Sequence, residues 1–469
     1  MYFFSSKPSI IDNHTAAAMD YTDSLPDECL ALIFNFLTTS KDRKNSSLVS
    51  HRWLRIEAQT HTHLSLIAHS DLQPFIPSIF NRFNSLTQLF LHNNYSKSFD
   101  SINDNDMILI TSMSPNLMRL RIVYCHRITD SGMAVFSKNC NKLKEFSCAD
   151  CRFSDLGIFE LLHNCTQLEV LDVWSLNNYP DVKAPPNFSA GAAAKSLKVI
   201  KLSFAHNERL FEPLIIASKN LTSLELGCCD GSWGRTLEMI PNDSCLVEVH
   251  LQDVNVTDVG LISVAKNCRA LKKLGVGNFN GSVEIGDEGL IAVGKHSVNL
   301  QELILIGVNA TCVSLEVIAT NCRNLVRLEL SRSETITDVE MMCIAEKCVA
   351  LKTLYISTCP VSNKGIEAFA LGCPNLEAIW DKSPLNEKSD VEDMSSGNLD
   401  FKETPKLLDE DSISKKLKNI SDEPQENKRY DICCKSASKA VKLKPSLTVI
   451  NREKRNNLIA QSKGKTLLC

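Results

Sequence analysis

The sequence predicts an α/β chain in three parts: a compact helical head, a long stack of strand–helix repeats, and a charged tail. Three observations lead there. Between residues 86 and 380 a pattern L-x-x-L-x-L returns at near-constant spacing. Before it, residues 25–37 read LPDECLALIFNFL, with only Asn35 polar between Leu30 and Leu37. After residue 380 the periodicity stops and blocks of charge begin.

Composition narrows the function classes first. At 469 residues, 43% hydrophobic and 23% charged, the chain has ordinary globular composition. A net charge of −4 argues against nucleic acid or an anionic membrane as the main partner. No apolar run approaches the ~20 residues of a membrane span. The opening MYFFSSKPSIIDNH lacks a basic start followed by an apolar core, so no secretory signal is expected. On that reading an extracellular receptor is excluded and the nineteen cysteines are reduced thiols.

The repeat comes next. Residues 116–140 (NLMRLRIVYCHRITDSGMAVFSKNC) and 350–373 (ALKTLYISTCPVSNKGIEAFALGC) share leucine spacing, a cysteine, a turn and an amphipathic run ending in cysteine. Units begin at Leu86, Leu117, Leu143, Leu168, Leu197, Leu221, Leu246, Leu271, Leu300, Leu325, Leu351 and Leu376, mostly 24 to 26 residues apart. That spacing is the leucine-rich-repeat range. In Leu325–Leu330 the leucines face a core and Arg327 and Glu329 face out, as a strand requires. Thr337 or Asp338 then suits a helix cap, and Leu261, Val264, Ala265 and Cys268 give an equivalent helix one inward face. One unit cannot bury its own apolar face. About twelve stacked units can, as a curved right-handed solenoid with strands concave and helices convex.

Cysteine placement follows from the repeat. Cys140, Cys165, Cys268, Cys322, Cys348 and Cys373 close helices, and Cys125, Cys151 and Cys359 follow strands, as small buried hydrophobes. CADC (148–151) resembles a metal-binding pair, but no second pair lies at zinc-finger spacing, so no metal is expected. Units from Leu197 to Leu246 are weaker, and two intervals stretch to 29 residues around loops 177–193 and 278–288.

Catalytic motifs are scarce. GVGNFNG (275–281) is one residue off a dinucleotide fingerprint and lies on a repeat strand, not between a Rossmann strand and helix. His61-Thr62-His63 is not part of an HExxH motif, and neither GxSxG nor a phosphate loop occurs. The expectation is a non-enzyme with no cofactor.

The head carries the partner. Pro26, Asp27 and Glu28 start a helix in the way the helix dipole favours. Leu48, Val49 and Trp53 add a second apolar set, and a segment of about 40 residues cannot bury both. At these residues the chain resembles an F-box: Leu25-Pro26 with Glu28, Ile33-Phe34, Leu37, Leu48-Val49 and Trp53 match in order and approximate spacing. Ser50 stands where cysteine is frequent in that motif. With cysteine-containing repeats behind it, the chain resembles F-box/leucine-rich-repeat substrate receptors, and stretches 42–66 and 80–92 resemble the plant VIER F-box subgroup.

The resemblance implies a three-helix F-box over 22–66 and a solenoid over 67–380, while the ends, 1–21 and 381–469, are expected to be disordered. It implies that Leu25, Pro26, Leu30, Ile33, Phe34, Leu37, Leu48, Val49 and Trp53 hold a Skp-type adaptor, which links them to a cullin–RING ubiquitin ligase in the nucleus, the cytoplasm or both. The alternatives are a helical cap on the repeats and a repeat scaffold that works without a ligase.

Strand register places the target. Outward positions on successive strands are Arg121, Asp172, Lys201, Glu225, His250, Ile304, Glu329 and Tyr355, with Trp174 and Ile306 one position on and Phe204 beside them. Exposed apolar members (Trp174, Phe204, Ile304, Ile306, Tyr355) would anchor a target protein. Alternatively, loops 177–193 and 278–288 fold over them. In the tail, 381–424 holds 12 acids against 7 bases and 425–469 holds 3 against 11, blocks that read as disorder.

Overall fold

The computed structural model describes residues 22, 24–37, 39–176, 190–205, 208–279 and 284–382. The terminal stretches 1–21 and 383–469 and most of loop 177–193 lie outside them. The chain divides into two compact units, residues 1–273 and 274–469.

The first unit opens with three helices: α1 (Asp27–Asn35), α2 (Ser40–Ser47) and α3 (His51–Thr60). Ser50 caps α3, its hydroxyl accepting from the Trp53 N–H at 3.2 Å. Strands follow: β1 (His63–Ile67), β2 (Gln88–His92), β3 (Arg119–Val123) and β4 (Glu145–Cys151). Then come β5 (Val170–Leu176), β6 (Val199–Ser203), β7 (Ser223–Gly227) and β8 (Glu248–Gln252). Each pairs parallel with its sequence neighbour, which requires the crossover that the intervening chain supplies. Register keeps aliphatic side chains in line: Leu89 lies beside Leu120, and Leu91 beside Ile122.

β1 spans the expected end of the F-box at residue 66: His63–Leu66 fall inside that stretch and Ile67 outside it, and the strand pairs with β2, Leu64 opposite Leu89 and Leu66 opposite Leu91. The lead-in leucine of the pattern is missing there, and both β1 leucines stay half-exposed.

Two repeat-wide devices hold the stack. Directly after the strand pairing, Tyr124, Asp150, Ser175, Phe204, Cys228 and Asp253 adopt left-handed backbone, with φ between 47° and 56°. Each non-glycine residue there costs about 1 kcal/mol. The conformation keeps the ladder going for one more bond: Tyr124 N–H donates to Ala149 O at 3.0 Å and Phe204 N–H to Gly227 O at 2.9 Å. The following side chain, such as Cys125 or Cys151, then turns into the core.

The second device is a carboxylate rung. Asp104 accepts from the backbone N–H and hydroxyl of Thr129 at 2.8 and 2.6 Å, and Asp130 does the same with Ser154 at 2.7 and 2.8 Å. Gly157 leaves room for this, since a Cβ there would sit 2.9 Å from the Asp130 carboxylate.

The second unit repeats the pattern through β9 (Lys273–Gly277, at the boundary), β10 (Glu302–Ile306), β11 (Arg327–Ser331), β12 (Thr353–Ser357) and β13 (Ala378–Lys382). Asp287 and Asp338 form its rungs, to Thr311 and Ser362. That settles the choice of cap: Thr337 caps its helix while Asp338 reaches the next repeat. Helix-closing cysteines are buried in both units, and burial pushes the thiols of Cys140, Cys165 and Cys348 up to about 12. The thiols of Cys165, Cys322 and Cys373 point at carbonyls of the preceding repeat, Cys373 at Ala345 O at 3.0 Å.

Candidate interaction surfaces

Helix α1 is apolar on two faces, and the two faces have different neighbours. Leu30 and Phe34 are 1% and 0% exposed and form a core with Ile56 of α3; Leu25, Ala31, Leu37 and Trp53 pack around it. Phe34 meets the Trp53 ring edge-on at 5.2 Å. On the other side Cys29, Leu32, Ile33 and Phe36 occupy positions i, i+3, i+4 and i+7, one stripe of a helix. All four are exposed, Phe36 at 82%. Leu48 and Val49, between α2 and α3, are exposed at 75% and 57%, and Pro26 is exposed at the helix start.

This arrangement corrects part of the expected contact set. Leu30 and Phe34 are core residues with no surface to offer a partner, because the α1–α3 packing closes over them. Leu25, Leu37 and Trp53 are half-buried around that core. Ile33, Leu48, Val49 and Pro26 remain available, and sequence reasoning left out Leu32 and Phe36. The i, i+3, i+4, i+7 spacing was present in the sequence, but two stripes fitted it and only α3 decides which faces inward.

Three arginines fix the helix that carries the stripe. Arg43 of α2 donates to the carbonyls of Leu37 at 3.0 Å and Phe34 at 2.9 Å, satisfying the open end of α1. It also reaches the buried Glu57 carboxylate at 3.3 Å, which accepts from His61 at 2.9 Å. Burial would raise the Glu57 carboxyl, but hydrogen bonds and charge from His61 and Arg43 outweigh it and hold it below the usual range. At the other end, Arg52 bonds the Asp27 carboxylate at 2.8 Å and the carbonyls of Thr22 and Leu25, and Arg55 reaches Asp27 at 3.0 Å.

The outward strand positions behave differently in the two units. In the first, the Arg121 guanidinium lies 5.0 Å over the Phe90 ring, Ser147 donates to Asp172 at 3.2 Å, and Lys201 pairs with Glu225 at 2.9 Å. Trp174 and Phe204, both half-buried, meet edge-on at 5.5 Å, and His250 is half-buried on β8. In the second, Glu329 lies beside Tyr355, which lies beside Trp380. Burial pushes the Glu329 carboxyl up, against Arg327 at 3.3 Å.

Ile304 and Ile306 correct the expectation of exposed anchors: they are 9% and 7% exposed. Ile306 fills the space that Gly277 leaves, where a Cβ would come 2.5 Å from the Ile306 Cβ. Past β9, the Phe279 carbonyl accepts from Arg332 at 2.9 Å and its ring faces that guanidinium at 5.1 Å. The start of loop 278–288 is thereby tied to the end of β11.

Among known families, residues 22–63 match the F-box model. The chain is 24% identical to F-box protein FBX14 of Arabidopsis thaliana over 76% of this chain and 60% of that protein. It is 26% identical to F-box/LRR-repeat protein 12 of the same plant, over 32% of this chain and 40% of that one. The chain thus spans 60% or less of the length of these relatives. A chain of the yeast Rad7–Elc1 complex aligns over 75% of this chain and 81% of its own, with 16% identity and a TM-score of 0.43. The chain carries an F-box match at 22–63, followed by parallel strands in leucine-rich-repeat register, and is similar to F-box and F-box/LRR-repeat proteins of plants.

Proposed function

We propose that the protein is a non-catalytic substrate-recognition subunit of an SCF-type ubiquitin ligase. A Skp-type adaptor covers the exposed stripe Leu32, Ile33 and Phe36 together with Leu48 and Val49. Outward strand positions, led by Arg121, Trp174, Phe204 and Tyr355, hold a target protein near the ubiquitin-loaded enzyme. Its contribution to the chemistry is proximity, supplied to another subunit's reaction. Stretches 42–66 and 80–92 place it, on our reading, in the VIER F-box subgroup.

The observation that carries this reading is the outward stripe. The inner face of α1 already completes the F-box core, so five large apolar side chains stand in water with no structural use. An interface of ordinary size, about 800 Å² per partner, would cover them. Leu32→Asp/Leu48→Asp should abolish pull-down of a purified Skp-type adaptor while leaving the thermal unfolding of the full chain unchanged. Undiminished capture by that variant refutes the assignment and favours a scaffold that works without a ligase.

A further inference from the structure

The interval from Leu86 to Leu117 is 31 residues, longer than the two 29-residue intervals already noted. Its extra length forms loop 93–102, which is tied down throughout. His69 bridges antiparallel to Ser101, Ile102 N–H donates to Ala68 O at 3.0 Å, and His126 N–H donates to Ser98 O at 3.1 Å. The buried Asn93 amide donates to the carbonyls of Lys97 and Asp100 at 2.8 and 3.3 Å.

This fixed loop nevertheless holds Tyr95 and Phe99 in solvent, 72% and 69% exposed. Tyr95 rests edge-on against Tyr124 at 5.6 Å and Phe99 against His126 at 4.8 Å. Beside them an open cleft of about 510 Å³ runs between Ile67, Leu72 and Phe75 on one side and Asn94 and Lys97 on the other. Asp71 and His69 line it, and His69 sits 3.1 Å from Asp71 and 2.8 Å from Asp100. Asp71 is nearly fully exposed, and the Ser70 hydroxyl, with the charges of His69 and Arg127, holds Asp100 below the usual carboxylate range.

We propose that this patch docks an extended peptide segment of a protein partner, one carrying an arginine or lysine beside an aromatic or aliphatic side chain. The apolar side chain enters between Leu72 and Phe75. The cation meets Asp71 and Asp100, and the exposed rings of Tyr95 and Phe99 on the same loop offer it cation–π contact. Because the loop is already pinned, binding orders little of the protein, which favours affinity from a small contact. The surface uses none of the residues of the α1 stripe, so it stands apart from the adaptor reading.

The test is selection of a phage-displayed random heptapeptide library on the full chain, followed by titration of the enriched peptides. Enriched sequences should place Arg or Lys next to an apolar residue, and Tyr95→Ser/Phe99→Ser or Asp71→Asn should weaken them about tenfold or more. Leu32→Asp/Leu48→Asp should leave the same titration unchanged. Failure to enrich, enrichment of acidic peptides, or equal binding to the Tyr95→Ser/Phe99→Ser chain overturns the proposal. A concentration-dependent dimer that this variant loses would seat a second copy on the patch and overturn it as well.

Discussion

Phe34 and Phe36 lie two residues apart on α1 and should respond oppositely to truncation. Phe34 is fully buried against Trp53, Leu30 and Ile56, whereas Phe36 is 82% exposed. Removing a buried phenylalanine to alanine costs about 3–5 kcal/mol through lost transfer energy and the cavity left behind. A helical segment this small holds only about 3–5 kcal/mol of stability in total. Phe34→Ala should therefore bring α1–α3 close to local unfolding. Phe36→Ala removes surface already in water and should change stability by no more than about 0.5 kcal/mol. Hydrogen exchange read by mass spectrometry on peptides covering 25–60 separates the two. Amides of α1 and α3 should lose about a hundredfold of protection in Phe34→Ala, since every 1.4 kcal/mol is tenfold, and keep it in Phe36→Ala. Equal losses in both variants would mean that the outward stripe is structural, and the reasoning would fail.

Other outcomes follow from the same geometry. A bulky thiol reagent should label Cys29 and Cys245 in the native protein, the two exposed cysteines among the described residues, far faster than buried Cys140, Cys165 or Cys348; peptide mapping reads the order. Ile304→Ala should cost about 2–5 kcal/mol in urea unfolding because the residue is buried, whereas Tyr355→Ala should cost about 1 kcal/mol or less. Glu57 has a lowered carboxyl pKa, so its ionised form stabilises the fold. That contribution is complete above the unfolded value of about 4.3 and is lost as pH falls through the folded value. Protection of α3 should therefore hold from pH 7 to about 5 and drop at lower pH, and Glu57→Gln should flatten the drop.

The repeat was legible because core leucines alternate within each strand and return at one spacing, a local pattern that burial at Leu120, Ile122, Leu328 and Leu330 follows. The left-handed residues after the strands were not. Tyr124, Asp150, Phe204, Arg332 and Thr358 share a backbone conformation but no side-chain type, so nothing in composition marks the position. The carboxylate rungs were half-legible: an aspartate at a helix start reads as a cap, and only the neighbouring repeat reveals that it bonds a hydroxyl about 25 residues away. Ile306 packs where Gly277 lacks a Cβ, a close approach between neighbouring repeats that neither residue type announces. On α1 the sequence showed an excess of apolar side chains, and the division between core and surface came from Ile56 and Trp53 of α3.

Docking through the outward face of α1 can be observed at a single residue. A photo-crosslinking benzoylphenylalanine in place of Phe36, irradiated with a purified Skp-type adaptor, should give a covalent adduct whose adaptor peptide is identified by mass spectrometry. The same group in place of Val339, also exposed to solvent on a repeat helix of the second unit, should give none. Efficient adaptor binding with no adduct from position 36, or equal adducts from both positions, would contradict docking through this stripe.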